Sequence, residues 1–171
     1  MNEKILNKLI SNEKELDKKI NFFLSKKLLN YQKPDEFEIK GHLEKARHNL
    51  EFVADVSEEK YSDWIVTGCY YAVYHAVLSL ILSRGCSSKN HDASLCILIK
   101  EYFKKSIDLE EIKLINNLFI DYNDLVFYVH SKKKRQEATY STKYNFNTSL
   151  VKTLIQKTRI FISKVEDILY R

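Results

Sequence analysis

Apolar residues recur at intervals of three and four positions through most of the chain, which is the spacing of one face of an α-helix. Residues 3–29 follow this pattern and predict a helix, with an interruption considered near Ser11-Asn12. Lys33-Pro34-Asp35 ends it, because proline disfavours helix in the residue before it. The apolar side of this segment comprises Ile5, Leu9, Leu16, Ile20, Phe23 and Leu24.

Two helices are predicted in the next part of the chain. Residues 37–56 form the first. The second starts after a cap at Ser57 or Ser62, continues to Ser83 and stops at Arg84-Gly85, since serine often begins helices and glycine often terminates them. A loop is expected over residues 86–90. The core positions of the first helix are Leu43, Ala46, Leu50 and Val53.

Three further helices are predicted in the second half. One covers residues 91–105, and the next runs from a capping box at Asp108-Leu109-Glu110-Glu111 to about residue 129. A polar stretch over residues 131–145 precedes the last, which starts at one of residues 147–149. Its inward positions are expected to be Leu150, Leu154, Phe161, Val165 and Ile168. The fold class is therefore all-α: an up-and-down bundle of four to five core helices over residues 34–171, with an N-terminal helical extension over residues 1–33.

Composition supports this fold class. The chain has 171 residues, enough for one core, and contains only three glycines and one proline. Sheet-rich folds need turn residues at regular intervals, so their scarcity favours long helices. The net charge of +5 suits phosphate-bearing partners but is equally compatible with an ordinary solvated surface.

The cysteines and the N-terminus indicate a reducing compartment. Cys69, Cys86 and Cys96 are odd in number, form no CxxC pair and lie among apolar residues. They are interpreted as small core side chains rather than a disulfide scaffold or a zinc knuckle. The first residues have no signal-peptide pattern, so a cytoplasmic location is expected.

Residues 64–83 contain no charged side chain and are long enough to cross a bilayer. A stripe of polar residues nevertheless follows one side of the predicted helix. Lipid would leave that stripe unsatisfied, whereas a bundle can hydrogen-bond it across to neighbouring helices, so no membrane span is expected. The stripe comprises Thr67, Tyr71, Tyr74, His75 and Ser79.

Two clusters around the third helix could carry chemistry. Tyr71, Tyr74 and His75 lie near one another on its surface and form either a wall on which a base stacks or an aromatic part of the core. The loop before the fourth helix contributes Lys89 and His91, where a helix N-terminus favours phosphate. An ordinary capped helix start with a solvated lysine explains the second cluster equally well.

A third cluster is the basic run Lys132, Lys133, Lys134 and Arg135 in the polar stretch. Four successive cations could follow a phosphate backbone. Such runs are, however, commonly solvated surface.

In this order, the clusters resemble the HEPN family. The resembling elements are Tyr70-Tyr71-Ala72 followed by His75-Ala76, Gly85 before Lys89-x-His91, and Arg135-x-x-Ala138-x-Tyr140. The similarity spans about Phe37 to Tyr170. It implies a helical bundle that forms a homodimer and places polar motifs of both subunits around one cleft. Many members of the family are metal-independent ribonucleases, often toxins paired with a small nucleotidyltransferase antitoxin.

The family's catalytic motif is an arginine followed four to six residues later by histidine. Arg135 matches the arginine, and Tyr140 stands at the histidine position. An unperturbed phenol titrates near pH ~10 and is a poor base at neutrality. Arg135 can still hold a phosphate while Tyr140 donates a hydrogen bond. His91 and His130 are alternative proton carriers outside the motif.

Binding of RNA or a nucleotide is therefore favoured over cleavage, and any enzyme activity would be that of a metal-independent endoribonuclease. No cofactor and no metal are expected. Two alternatives stay open: a non-catalytic partner of a nucleotidyltransferase that is modified at Tyr140 or a nearby hydroxyl, and a purely structural helical domain.

Overall fold

The computed structural model describes residues 1–56, 61–130 and 148–170, and only the backbone of residues 120–130. The described chain is almost entirely helical, so the all-α prediction is confirmed. Its elements in chain order are α1 (Glu3–Ser11), α2 (Glu13–Ser25), β1 (Leu29–Tyr31), α3 (Glu36–Asp55), α4 (Ser62–Ser83), β2 (Cys86–Ser88), α5 (His91–Tyr102), α6 (Leu109–His130) and α7 (Thr148–Leu169).

The N-terminal segment is two helices rather than one, and the interruption considered in the sequence is present. Asn12 separates them, because its extended backbone ends α1 and its side chain accepts a hydrogen bond from the Glu15 N–H at 3.2 Å. The predicted inward position of Ile5 is wrong, since its side chain is 44% exposed. Leu6 is buried in its place, and the apolar face of both helices joins the main core.

The two short strands were not predicted. They pair antiparallel, with Asn30 opposite Ser87, and replace the loop expected before α5. Gly85 lets the segments of the two strands lie this close together. Its φ of +69° suits glycine, and its carbonyl oxygen accepts the Gln32 N–H at 2.9 Å. A Cβ at Gly85 would lie only 2.8 Å from the Gln32 carbonyl oxygen. The sheet thereby ties the segment after α2 to the segment after α4.

Helices α3 and α4 form a closely packed pair. Asp35 caps α3 by accepting from the Phe37 N–H at 2.8 Å, and Gly68 lets the two backbones approach. A Cβ at Gly68 would lie 2.5 Å from Cγ2 of Val53, too close for any larger residue without movement. Of the two predicted caps for α4, Ser62 is instead its first helical residue, and Ser57 lies outside the described residues.

Some polar side chains of the stripe on α4 form hydrogen bonds with other partners than the sequence predicted. Thr67 donates to the Asp63 carbonyl at 2.9 Å and Ser79 to the Ala76 carbonyl at 2.8 Å, so both hydroxyls bond back to their own helix. The expected bonding across the bundle is wrong for these two residues, whereas His75 does contact a neighbouring helix. By length and composition α4 could cross a membrane, but most of it is buried among the other helices.

The later helices begin at or within one residue of their predicted first residues. The capping box is confirmed, because Asp108 and Glu111 each accept the other's backbone N–H at 2.9 Å. Leu150 in α7 was expected to face inward, and this is wrong, since its side chain is 69% exposed. Val151 is buried instead, which aligns it with Thr158, Phe161 and Val165 along one face of α7.

All three cysteines are buried and unpaired, as expected for small core residues. Burial raises the pKa of Cys69 to about 11 and of Cys96 to about 12, and it also raises the pKa of Cys86. Their thiols are therefore protonated near neutrality and behave as apolar groups.

Candidate functional site

Two histidines from neighbouring helices meet at the α3–α4 interface. Their rings stack with centroids 5.1 Å apart, and Nδ1 of His42 lies 2.9 Å from Nδ1 of His75. Because a neutral imidazole has one N–H and one bare nitrogen, one Nδ1 must carry the hydrogen and the other must accept it. His42 and His75 therefore form a hydrogen-bonded pair, called here the histidine pair.

The histidine pair lines an open pocket of about 700 Å³. This size falls in the range of small-molecule sites, which commonly enclose ~300–1,000 Å³. Helices α3 and α4 form one side, and the segments around the two strands form the other. The lining residues are Lys27, Leu28, Asn30, Glu38, His42, Tyr74, His75, Leu78, Leu82, Ser87, Ser88, Lys89 and Asn90.

Lys27 reaches this pocket through an uncommon backbone conformation. The N–H groups of Lys27 and Leu28 bond back to the carbonyls of Leu24 and Phe23, each at 3.0 Å, which closes α2 in a Schellman motif. The motif requires a left-handed residue, and Lys27 has a φ of +55° where glycine is usual. The lysine at this position places a cation at the pocket.

Lys89 is held on the same side of the pocket as Lys27 by the connection from β2 to α5. The Ser88 hydroxyl donates to the Leu28 carbonyl at 2.7 Å and thereby joins this connection to the Lys27 segment. Asn90 caps α5 by accepting the Ala93 N–H at 2.9 Å. The two lysines thus lie on segments that the small sheet and the Ser88 bond fix together.

The histidines of the pocket have lowered pKa values and are therefore neutral near pH 7. Burial, followed by the proximity of His42 and Lys45, lowers the pKa of His75 to about 4. Burial also lowers the pKa of His42, an effect that Glu38 opposes and Lys45 reinforces. The formal positive charges at the pocket therefore come from lysines, and Glu38 is an acidic residue of its lining.

A second aromatic cluster lies on the neighbouring side of α4. The His91 ring stacks on Phe119 with centroids 4.5 Å apart, and its Nε2 lies 3.1 Å from the Tyr70 hydroxyl. Burial lowers the pKa of His91, partly opposed by Asp92. Tyr74 contacts both regions, since its ring centroid lies 5.2 Å from that of His91 and 5.5 Å from that of His75. Burial raises the pKa of its phenol.

Three of the residues proposed from sequence meet in the pocket: Tyr74, His75 and Lys89. Tyr71 and His91 are not among its lining residues and instead pack around Tyr70. The remaining proposed residues, Lys132, Lys133, Lys134, Arg135 and Tyr140, lie outside the described residues, so their roles stay predictions.

Sequence reasoning missed His42 and Lys27. His42 precedes Ala46 by four positions and so borders the apolar stripe of α3, a signal that could have placed it at a helix interface. The left-handed position of Lys27 leaves no comparable signal, because glycine or asparagine usually marks such a site.

A metal site is not indicated by the described part of the chain. Within it, no group of three or more His, Cys, Asp or Glu side chains is arranged to hold a metal ion. The pocket instead combines one tyrosine ring, two lysines, hydroxyl groups and a pair of neutral imidazoles, a set suited to a ligand with a ring and a phosphate.

A helical bundle with a pocket of mixed apolar and polar lining beside its central helix is the class that these observations define. The family model of the HEPN domain matches residues 39–168, which is most of the chain. The chain therefore belongs to the HEPN domain family, as its motifs suggested.

One relative is similar over most of both chains. It is a protein of Methanocaldococcus jannaschii whose name describes it as a "putative toxin". The two are 25% identical over 133 residues, which cover 77% of this chain and 82% of the relative.

Proposed function

We propose that this protein binds RNA or a nucleotide in the pocket beside the histidine pair, as the toxin-like member of a pair with a minimal nucleotidyltransferase. One observation carries the binding proposal. Tyr74 and His75 from one sequence cluster and Lys89 from another line a single pocket that also contains Lys27 and His42. Family membership and the name of the archaeal relative support the toxin-like role.

The chemistry of the pocket suits such a ligand. The ring of Tyr74, which stacks on Tyr70, also lines the pocket and is the proposed stacking partner of a base. Base–aromatic stacking typically contributes ~1–3 kcal/mol. Lys27 and Lys89 are exposed at the pocket, where they can attract a phosphate without a large desolvation cost. Ser87 and Asn90 add groups that hydrogen-bond to ribose or base edges.

Binding is tested by fluorescence anisotropy with a labelled single-stranded RNA in EDTA. We expect Lys89→Ala and Tyr74→Ala each to weaken binding about tenfold, the equivalent of ~1.4 kcal/mol. Lys157→Ala is the matched control, because Lys157 is exposed on α7 and is not a lining residue. RNA affinity that is insensitive to both pocket variants would reject this site.

Cleavage is tested separately on the same RNA without metal. The family resemblance assigns Arg135 to the catalytic motif, so Arg135→Ala is expected to abolish any metal-independent cleavage. Intact RNA with retained binding would identify a binding protein, consistent with a tyrosine at position 140. Cleavage that persists in Arg135→Ala would reject the motif assignment.

Tyr140 favours a second function, in which the chain is a non-catalytic partner modified by the nucleotidyltransferase. Co-expression with a nucleotidyltransferase encoded beside it, followed by mass spectrometry, tests this function. Loss of the added mass in Tyr140→Phe would support it. An unmodified chain that does not co-purify with that enzyme would oppose it.

Homodimer formation is tested on the same samples by light scattering.

A further inference from the structure

The histidine pair has a defined capacity for protons. In its neutral state the Nδ1–H of one ring donates to Nδ1 of the other across 2.9 Å. One Nε2 then carries a hydrogen and the other is bare. A single added proton on the bare Nε2 leaves the central hydrogen bond intact. The pair then has one positive charge and two Nε2–H donors.

A second proton cannot be added in the same geometry. It would occupy the accepting Nδ1 and place two N–H groups face to face at 2.9 Å. The two positive charges would also repel each other in a half-buried site. The pair as built therefore accommodates one proton.

From this arrangement we infer that the histidine pair is a phosphate-binding element that takes up one proton when a phosphate group enters the pocket. The inference rests on the proposed function and specifies how the same pocket recognises its ligand. The ligand class is a nucleoside phosphate monoester, as in a nucleotide or at a 5′-phosphorylated RNA end.

The surroundings of the histidine pair favour proton uptake when a phosphate binds rather than before it binds. Burial and Lys45 keep both rings neutral when the pocket is empty, although Glu38 partly opposes this at His42. Lys27 and Lys89 line the pocket from the other side. A phosphate dianion reverses that balance, because its charge attracts the lysines and the added proton together.

The pocket volume favours a single nucleotide unit. About 700 Å³ accommodates one base, its sugar and a phosphate, but not several nucleotides at once. Tyr74 borders the histidine pair, with its ring centroid 5.5 Å from that of His75. A base stacked on Tyr74 would therefore bring an attached phosphate near the imidazoles.

Calorimetry on the full chain at pH 7 tests the inference. Adenosine 5′-monophosphate is titrated in two non-phosphate buffers of different ionisation enthalpy, and the difference gives the protons taken up. We expect uptake close to one proton, reduced only by phosphate already protonated in solution. Binding should tighten on the order of fivefold between pH 7.5 and 6.5. Adenosine without phosphate should show no uptake.

The variant that tests the role of the histidine pair is His42→Asn. Asparagine retains a polar group at a half-exposed position but cannot accept the additional proton. We expect loss of the proton uptake and of the pH dependence, with binding at pH 7 weakened about tenfold. His48→Asn is the matched control, because His48 is exposed on the same helix and is not a lining residue. It should behave as wild type.

The outcomes separate this inference from the proposed function. Binding without proton uptake, or uptake that persists in His42→Asn, would overturn the inference and leave nucleotide binding intact. RNA oligomers with a 5′-phosphate or a 5′-hydroxyl distinguish an RNA end from a free nucleotide as the source of the phosphate. If neither RNA nor adenosine 5′-monophosphate binds, the proposed function and the inference both fail.

Discussion

Helix α4 separates two histidine clusters that differ in what surrounds them. His91 stacks on Phe119 and bonds to the Tyr70 hydroxyl, so aromatic groups of the bundle occupy its faces. His75 bonds to another histidine and lines an open pocket. Burial lowers the pKa of both rings, and of the two it is His75 that lines the pocket formed by the described residues. A shifted pKa alone does not distinguish a structural histidine from one in a binding site.

The aromatic cluster should be the more sensitive of the two to truncation. Phe119 is 1% exposed and contacts the rings of Tyr70, Tyr74 and His91. Phe119→Ala is expected to lower the free energy of unfolding by ~3–5 kcal/mol, because it removes a buried ring and leaves a cavity. Urea denaturation measures the loss. His42→Asn at the pocket should cost less than ~1 kcal/mol, and equal losses would contradict the proposed difference between the clusters.

Stability should depend on pH through His75. The folded protein holds this ring neutral down to about pH 4, whereas the unfolded chain protonates it near pH ~6.5. The unfolded state therefore binds more protons between these values. The stabilising contribution of the neutral His75 ring is present above pH ~6.5 and is lost as the pH falls toward about 4. Over this interval the free energy of unfolding should fall by on the order of 2–3 kcal/mol.

The measurement is the free energy of unfolding at several pH values in that window. His75→Gln removes the titrating ring and should flatten the profile relative to wild type, while other acid-sensitive groups act equally on both chains. His48→Gln, on the exposed side of α3, should keep the wild-type slope. A slope unchanged by His75→Gln would mean that this ring does not control the acid response.

The hydroxyl of Tyr70 provides a finer comparison. Tyr70→Phe keeps the ring but removes the hydrogen-bonding group 3.1 Å from Nε2 of His91. We expect a loss of ~1–3 kcal/mol, since a buried polar atom then loses a partner. Tyr31→Phe is the control and should have little effect, because Tyr31 is 66% exposed. Similar losses in the two variants would show that the Tyr70 bond adds no stability of its own.

Local signals predicted more of the fold than of the pocket. Periodicity, Gly85 and the Asp108–Glu111 capping box indicated helices and their ends, because each depends on residues a few positions apart. The sheet joins residues nearly sixty positions apart and has no periodic pattern over three residues. Lys27 and His42 reach the pocket through that sheet and the α3–α4 packing. Neither could be assigned to it from neighbouring residues alone.

Lys27 offers the smallest and most specific test of the pocket. Its left-handed backbone, with φ of +55°, is unfavourable for a residue with a Cβ and ordinary for glycine. Lys27→Gly should therefore raise the free energy of unfolding by ~1 kcal/mol. The same change removes a cation from the lining and should weaken binding of adenosine 5′-monophosphate severalfold.

The opposite signs of these two effects make the variant informative. Lys26→Gly is the control, because Lys26 is exposed beside it, has a φ of −89° and is not a lining residue. That control should destabilise slightly and leave binding unchanged. Denaturation and calorimetry on both variants measure the two effects independently. If Lys27→Gly stabilises the fold without weakening binding, the lysine is only a strained helix terminus, and the cationic side of the pocket is reduced to Lys89. If both effects appear, the backbone strain at Lys27 accompanies a role in ligand binding, and strained residues do cluster at such functional sites.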